Sequence, residues 1–189
     1  MKCPLFPLSA HILPEGRMAL RIFEPRYIRM IKETCAKDAG FVICMLNSKG
    51  NQEQNTHIFP TGTYCRVIDF DALEDGLLGV TIEGINCVSV SNIDTEKDGL
   101  RIADCENVEV WSCDFDIQEI SPMNERLREI FDTYDEFRSL YENVKLDDPL
   151  WVINRWLELL PVDAEQKQHF LAQKDCKEIV EYLSELIKY

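Results

Sequence analysis

Two clusters in this sequence have residue types suited to chemistry. His57 and Cys65 flank the entry to a strand-like run that also carries Asp69. Imidazole, thiol and carboxylate are the parts of a cysteine nucleophile, in which the imidazole takes the thiol proton. Spacing along a strand does not force the three together. A thiolate also needs an electropositive setting, which an acidic chain scarcely supplies. The second cluster is Arg21-Ile22-Phe23-Glu24-Pro25-Arg26-Tyr27. Its arginines can reach Glu24, or the acids Asp69 and Asp71. The plainer reading is an ion-pair bracket at a junction. The functional reading is an exposed edge that meets a partner chain, with Arg21, Phe23, Glu24 and Tyr27 as candidate contacts. Phe23 and Tyr27 serve equally well as core residues.

Other reactive side chains read as structural. The eight cysteines have no C-x-x-C spacing and no histidine placed to complete a zinc site. Cys44, Cys65, Cys87 and Cys105 lie in apolar runs, where cysteine acts as a small buried hydrophobe. His11, His57 and His169 fall in a turn, a polar loop and a helix, and are expected at the surface. Asp147-Asp148 reads as a helix start, and Asp132, Asp135 and Glu136 as a solvated helix face.

The elements that must position these residues fall into two halves. Met18–Phe23, Phe41–Leu46, Thr63–Phe70, Leu77–Glu83, Cys87–Val90 and Leu100–Val110 read as strands, with reversals at Asp75-Gly76 and Asp98-Gly99. Thr63–Phe70 carries apolar groups on both sides, which predicts a sheet covered on both faces. Residues 47–58 read as a mobile polar loop. Between Met18–Phe23 and Phe41–Leu46, Tyr27, Ile28, Ile31 and Cys35 form a helical stripe. Pro25 suits its first position, and Glu24 suits its positive end. Thus the charged stretch joins a strand to a helix.

From Ser121-Pro122 onward the period is helical. One long helix is expected from Pro122 to Tyr141, capped by Ser121. A second spans Leu150–Leu160 behind Asp148-Pro149. Two short ones open at Asp163 and Asp175 and end near Ala172 and Tyr189. The expected boundary gives a β subdomain over 1–115 and a helical subdomain over 116–189, together one continuous unit.

The 189 residues carry a net charge of −14. The first 110 residues hold 11 basic and 16 acidic groups, the rest 9 and 18. With no basic stripe, the chain is expected to avoid nucleic acid and anionic membranes. Its apolar runs are too short to cross a bilayer. The opening Met1-Lys2-Cys3-Pro4-Leu5-Phe6-Pro7 is a poor signal peptide, so reduced thiols in the cytoplasm are expected.

The run "CPLFPLSAHILPEGRMALRIFEPRYIRMI" closely resembles the opening of the Lon protease N-terminal, substrate-binding domain family. "GTYCRVIDFDALEDGLLGVTIEG", the later "DGL" and "WVINRWLELLPVDAEQKQHFL" resemble further segments of that family in the same order. Pro14-Glu15-Gly16 and Asn86-Cys87 depart from its usual turn and hairpin. The resemblance implies an α+β fold: a small PUA-like barrel of about six strands with an intervening helix, then a helical bundle. It implies polypeptide segments or unfolded proteins as partners, leaves self-association open, and implies no cofactor or metal.

Full Lon proteases add an ATPase and a serine–lysine peptidase. Here there is no G-x-x-x-x-G-K-[ST] loop, G-x-S-x-G elbow or H-E-x-x-H. A non-catalytic, stand-alone bacterial peptide-binding module is therefore the leading expectation. The alternative is a regulatory small-molecule or scaffold domain, with a pocket at Trp151 or Trp156. A Cys–His hydrolase is the remote third.

Overall fold

The computed structural model describes residues 1–187. The expected end of the last helix near Tyr189 lies outside them. The fold is mixed α+β, with six strands and six helices among the described residues. The chain forms two compact units, Met1–Glu109 and Val110–Tyr189.

The first unit holds β1 (Lys2–Leu8), β2 (Arg17–Ile22), α1 (Pro25–Ala36), β3 (Phe41–Leu46), β4 (Ile58–Ala72), β5 (Leu78–Thr95) and β6 (Arg101–Asn107). Sheet order is β2-β5-β4-β3-β1-β6, with a further β5–β6 pairing. It is not a clean six-stranded barrel. The pairings return from β6 to β5, whereas among the described residues β2 pairs with β5 alone. β1 runs parallel to β3 and antiparallel to β6.

β3 is buried at every position but its last, as a strand covered on both faces must be. Phe41 and Ile43 join Phe6, Ile22, Tyr27, Met30, Ile31 and Ile82 in one cluster. Val42 and Cys44 join Leu5, Val88, Ala103 and Cys105 in another. α1 supplies Tyr27, Met30, Ile31 and Thr34 to the buried side, the i, i+3, i+4, i+7 spacing of one helix face. At Gly84 an added Cβ would come within 2.4 Å of the Leu13 carbonyl oxygen. Glycine there lets the preceding loop bond to β5 through Gly84 N to Gly16 O and Glu15 N to Gly84 O.

Several sequence expectations change. β1 is a strand that the sequence reading missed, because its two prolines argue against one. Its edges tolerate them: β6 pairs only with Lys2–Leu5 and β3 only with Leu5–Leu8. The two runs Leu77–Glu83 and Cys87–Val90 are one 18-residue strand, β5. Both faces of β4 are not covered throughout, since Ile68 and Phe70 are exposed.

The second unit contains α2 (Met123–Thr133), α3 (Asp135–Arg138), α4 (Pro149–Leu159), α5 (Ala164–Leu171) and α6 (Lys177–Ile187). The single long helix expected from Pro122 to Tyr141 is broken at Tyr134, which is extended. Asp135 and Glu136 fall in the first turn of α3, where the positive end of a helix favours acids. Pro122, not Ser121, occupies the cap position of α2, and no side chain bonds there. Asp148 caps α4 by accepting from the amides of Leu150 and Trp151, and Asp163 caps α5 through Gln166.

Candidate functional site

The 21–27 stretch is the strand-to-helix junction that its sequence implies. β2 ends at Ile22, Glu24 is extended at the cap position, and Pro25 begins α1. Arg26 donates through Nε and Nη2 to Glu24 Oε2, at 2.9 and 2.8 Å. Its Nη1 donates to the Gly99 carbonyl at 2.9 Å. Its guanidinium lies 4.7 Å from the centre of the Tyr27 ring, and that ring stacks on Phe6 at 4.1 Å. The bracket is therefore real for Arg26. Arg21 pairs with Asp75 rather than with Asp69 or Asp71. The β2–β5 register sets Arg21 opposite Gly79, near the turn that carries Asp75. Glu24 makes no side-chain cap bond, because its carboxylate is engaged by Arg26.

Arg21, Phe23, Glu24 and Tyr27 all line one cavity of about 450 Å³. The end of β1 contributes Phe6, Pro7 and Leu8, the end of β2 Leu20 and Ile22, and β3 Leu46. Gly99 and Arg101 enter from the β5–β6 turn and the start of β6, and Gln52 and His57 from the 47–57 loop. Phe23 is 66% exposed, whereas Tyr27 is 7% exposed and belongs to the core. Two strand edges border the space. Among the described residues, β2 is paired only on its β5 side, and Phe6–Leu8 of β1 only on the β3 side.

Gln52 and Arg101 were not singled out by sequence, and His57 was singled out only as part of a cysteine nucleophile, not as a wall of this cavity. The 47–57 loop is a set of local turns: Asn47 Oδ1 accepts from Lys49 N, and Asn51 Oδ1 from Glu53 N and Gln54 N. Asparagine at each turn start was the available signal. Asn55 Oδ1 accepts from Arg101 Nε at 3.1 Å, and the Gly99 carbonyl from Arg101 Nη1 at 3.3 Å. Gly99, at φ 85°, presents that carbonyl from a turn which glycine adopts readily. His57 is buried, with Nδ1 lacking a hydrogen-bond partner. Burial first, then the charge of Arg101, lower its pKa, against a backbone hydrogen bond to Asn51 that raises it.

The proposed nucleophile is not assembled. Cys65 Sγ donates to the Thr63 carbonyl within the core, His57 lies on the cavity wall, and Asp69 is exposed and accepts from Phe70 N. His11 and His57 are buried, contrary to expectation, and His169 is exposed beside Glu178. Trp151 and Trp156 are also core. Trp151 packs against Phe131 and Tyr141, and Trp156 Nε1 donates to the Met123 carbonyl. Among the described residues, no group of three or more His, Cys, Asp or Glu is placed to hold a metal. No helix there is long and apolar enough to cross a membrane.

Residues 2–189 match the family model of the ATP-dependent protease La (LON) substrate-binding domain. A crystal structure of a Lon N-terminal domain protein from Xanthomonas campestris is similar, with 26% identity and a TM-score of 0.72, over 97% of this chain and 96% of that one. The N-terminal domain of the Mycobacterium avium complex Lon protease shares the fold, with a TM-score of 0.65 at 13% identity, over 97% and 96%. No curated protein matches the sequence. The match runs through both the sheet and the helices, and the chain belongs to the LON substrate-binding domain family.

Proposed function

We propose that the chain is a non-catalytic recognition module for extended or unfolded polypeptide. The observation that carries this reading is the cavity at the end of β2. It joins an exposed aromatic ring, Phe23, to two strand edges whose backbone groups lack a sheet neighbour. An added strand gains backbone hydrogen bonds from such an edge, and side-chain pockets beside it supply selectivity. Phe23 and Arg21 are the contact residues, Glu24 holds Arg26 in place, and Tyr27 forms the floor. The family description, a substrate-binding domain, supports the same reading. The return of pairing from β6 to β5 supports a PUA-like barrel as its scaffold. The eight free thiols suit a reducing cytoplasm.

The test is anisotropy titration with a fluorescent, permanently unfolded client. Binding in the micromolar range is expected, about tenfold weaker for Phe23→Ala, since a well-packed aromatic anchor contributes more than about 1 kcal/mol. Unchanged affinity in both Phe23→Ala and Arg21→Ala would exclude this cavity. A cavity of this volume also fits a small molecule, and a saturable thermal shift with a single metabolite would favour that second reading.

A further inference from the structure

We infer that the cavity receives the free C-terminal carboxylate of an apolar polypeptide end, with Arg101 as the residue that binds it. This rests on the polypeptide reading above and specifies which part of the polypeptide is bound.

The first argument is charge. The protein is strongly acidic, yet this cavity is lined by three arginines and one glutamate. Arg21 is neutralised by Asp75 and Arg26 by Glu24. Arg101 bonds only to neutral oxygens, those of Asn55 and Gly99, and has no ion pair among the described residues. Those two bonds hold the guanidinium in place before any ligand arrives. Its other N–H groups remain for a carboxylate, the partner that a guanidinium binds most strongly.

The helix adds to this field. The first turn of α1 lines the same space, carries no acidic residue and has no side-chain cap. Its partial positive charge therefore acts on the cavity.

The remaining walls decide the kind of anion. Leu8, Leu20, Phe23 and Leu46 are apolar, so the ligand must carry hydrocarbon beside its charge. The strand edges of β1 and β2 offer backbone groups to an extended chain. An inorganic anion would use neither feature. An internal apolar segment would leave Arg101 without a counter-ion. The last residues of a polypeptide ending in apolar side chains use all three.

The experiment compares two short fluorescent peptides of one sequence ending in leucine-valine-leucine, one with a free C-terminus and one amidated, against the intact protein. The free acid is expected to bind at least about tenfold more tightly than the amide, the range of a charge-assisted hydrogen bond. Arg101→Gln is expected to erase the difference. Equal binding of acid and amide overturns the carboxylate inference and leaves the polypeptide reading standing. Failure of both peptides to bind overturns both. Hexanoate competing as tightly as the free-acid peptide overturns the polypeptide end as ligand and assigns the cavity to small carboxylates. The acid–amide comparison uses only the wild-type chain, so it decides the question even if the variant misfolds.

Discussion

Tyr27 stacks its ring on Phe6 at 4.1 Å, while Phe23, four residues earlier, keeps 66% of its surface in water. The two aromatics of one short motif therefore have separate effects. Tyr27→Ala is expected to cost about 3–5 kcal/mol, the loss typical of a buried aromatic. Phe23→Ala is expected to stay within about 0.5 kcal/mol of wild type. Urea denaturation checks both, and a large loss for Phe23→Ala would place that residue in the core. His57 gives a pH prediction. Its folded pKa is held below the ordinary 6.5 by burial and by Arg101. As pH falls below 6.5 the unfolded chain takes up this proton first, so stability present above that value is lost through the folded pKa. Other charged groups on the same cavity are Arg21 of β2, Glu24, Arg26 of α1 and Arg101 of β6. His57→Gln removes this slope, so its stability relative to wild type should rise between pH 7 and pH 5, about the range in which histidine titrates. A constant difference would show that His57 does not titrate differently in the two states. Sequence offered Glu24 among the possible partners of Arg26, because the two lie two residues apart. It missed Arg21–Asp75 and Arg101–Asn55, because those partners meet only once strand register and loop shape are set.

Local helix signals were legible at Asp148 and Asp163, though not at Ser121. Asp148 and Asp163 both cap as their spacing implies, since a cap needs only an acceptor two or three residues before its donors. Asp148 Oδ1 accepts from two amides, at 3.0 and 3.2 Å. Asp148→Ala is therefore expected to lower stability by about 1 kcal/mol, read from the denaturation midpoint, and Asp148→Asn to recover most of it. No change in either variant would mean that water replaces the cap without loss. The α2–α3 break was illegible, because the apolar stripe continues through it: Phe131 and Tyr141 still meet, at 5.6 Å, and share Trp151. Periodicity reports which residues face inward, not whether the backbone stays helical between them. β1 failed for the opposite reason. Proline is a strong local signal against a strand, and the pairing pattern that tolerates it is a property of β3 and β6, more than 30 residues away.

Every ladder of the six strands lies between Lys2 and Asn107. The two ends of that stretch are also tied to each other. Cys105 N donates to the Met1 carbonyl at 2.7 Å, and the Met1 amino group donates to the Cys105 carbonyl at 2.8 Å. The first unit therefore holds all of its own strand ladders and contains both apolar clusters of the sheet. At this length a chain can bury enough surface to be stable. A fragment spanning residues 1–109 is thus expected to show a β-type circular dichroism spectrum and one cooperative urea transition. Removing residues 1–8 from the full chain should have the opposite effect. It deletes β1, the strand between β3 and β6, and leaves two ladders of buried backbone groups without partners. An unfolded 1–109 fragment would mean that the sheet unit depends on residues 110–189, and a chain lacking 1–8 that still melts cooperatively with its sheet signal intact would mean that β1 is dispensable to the sheet.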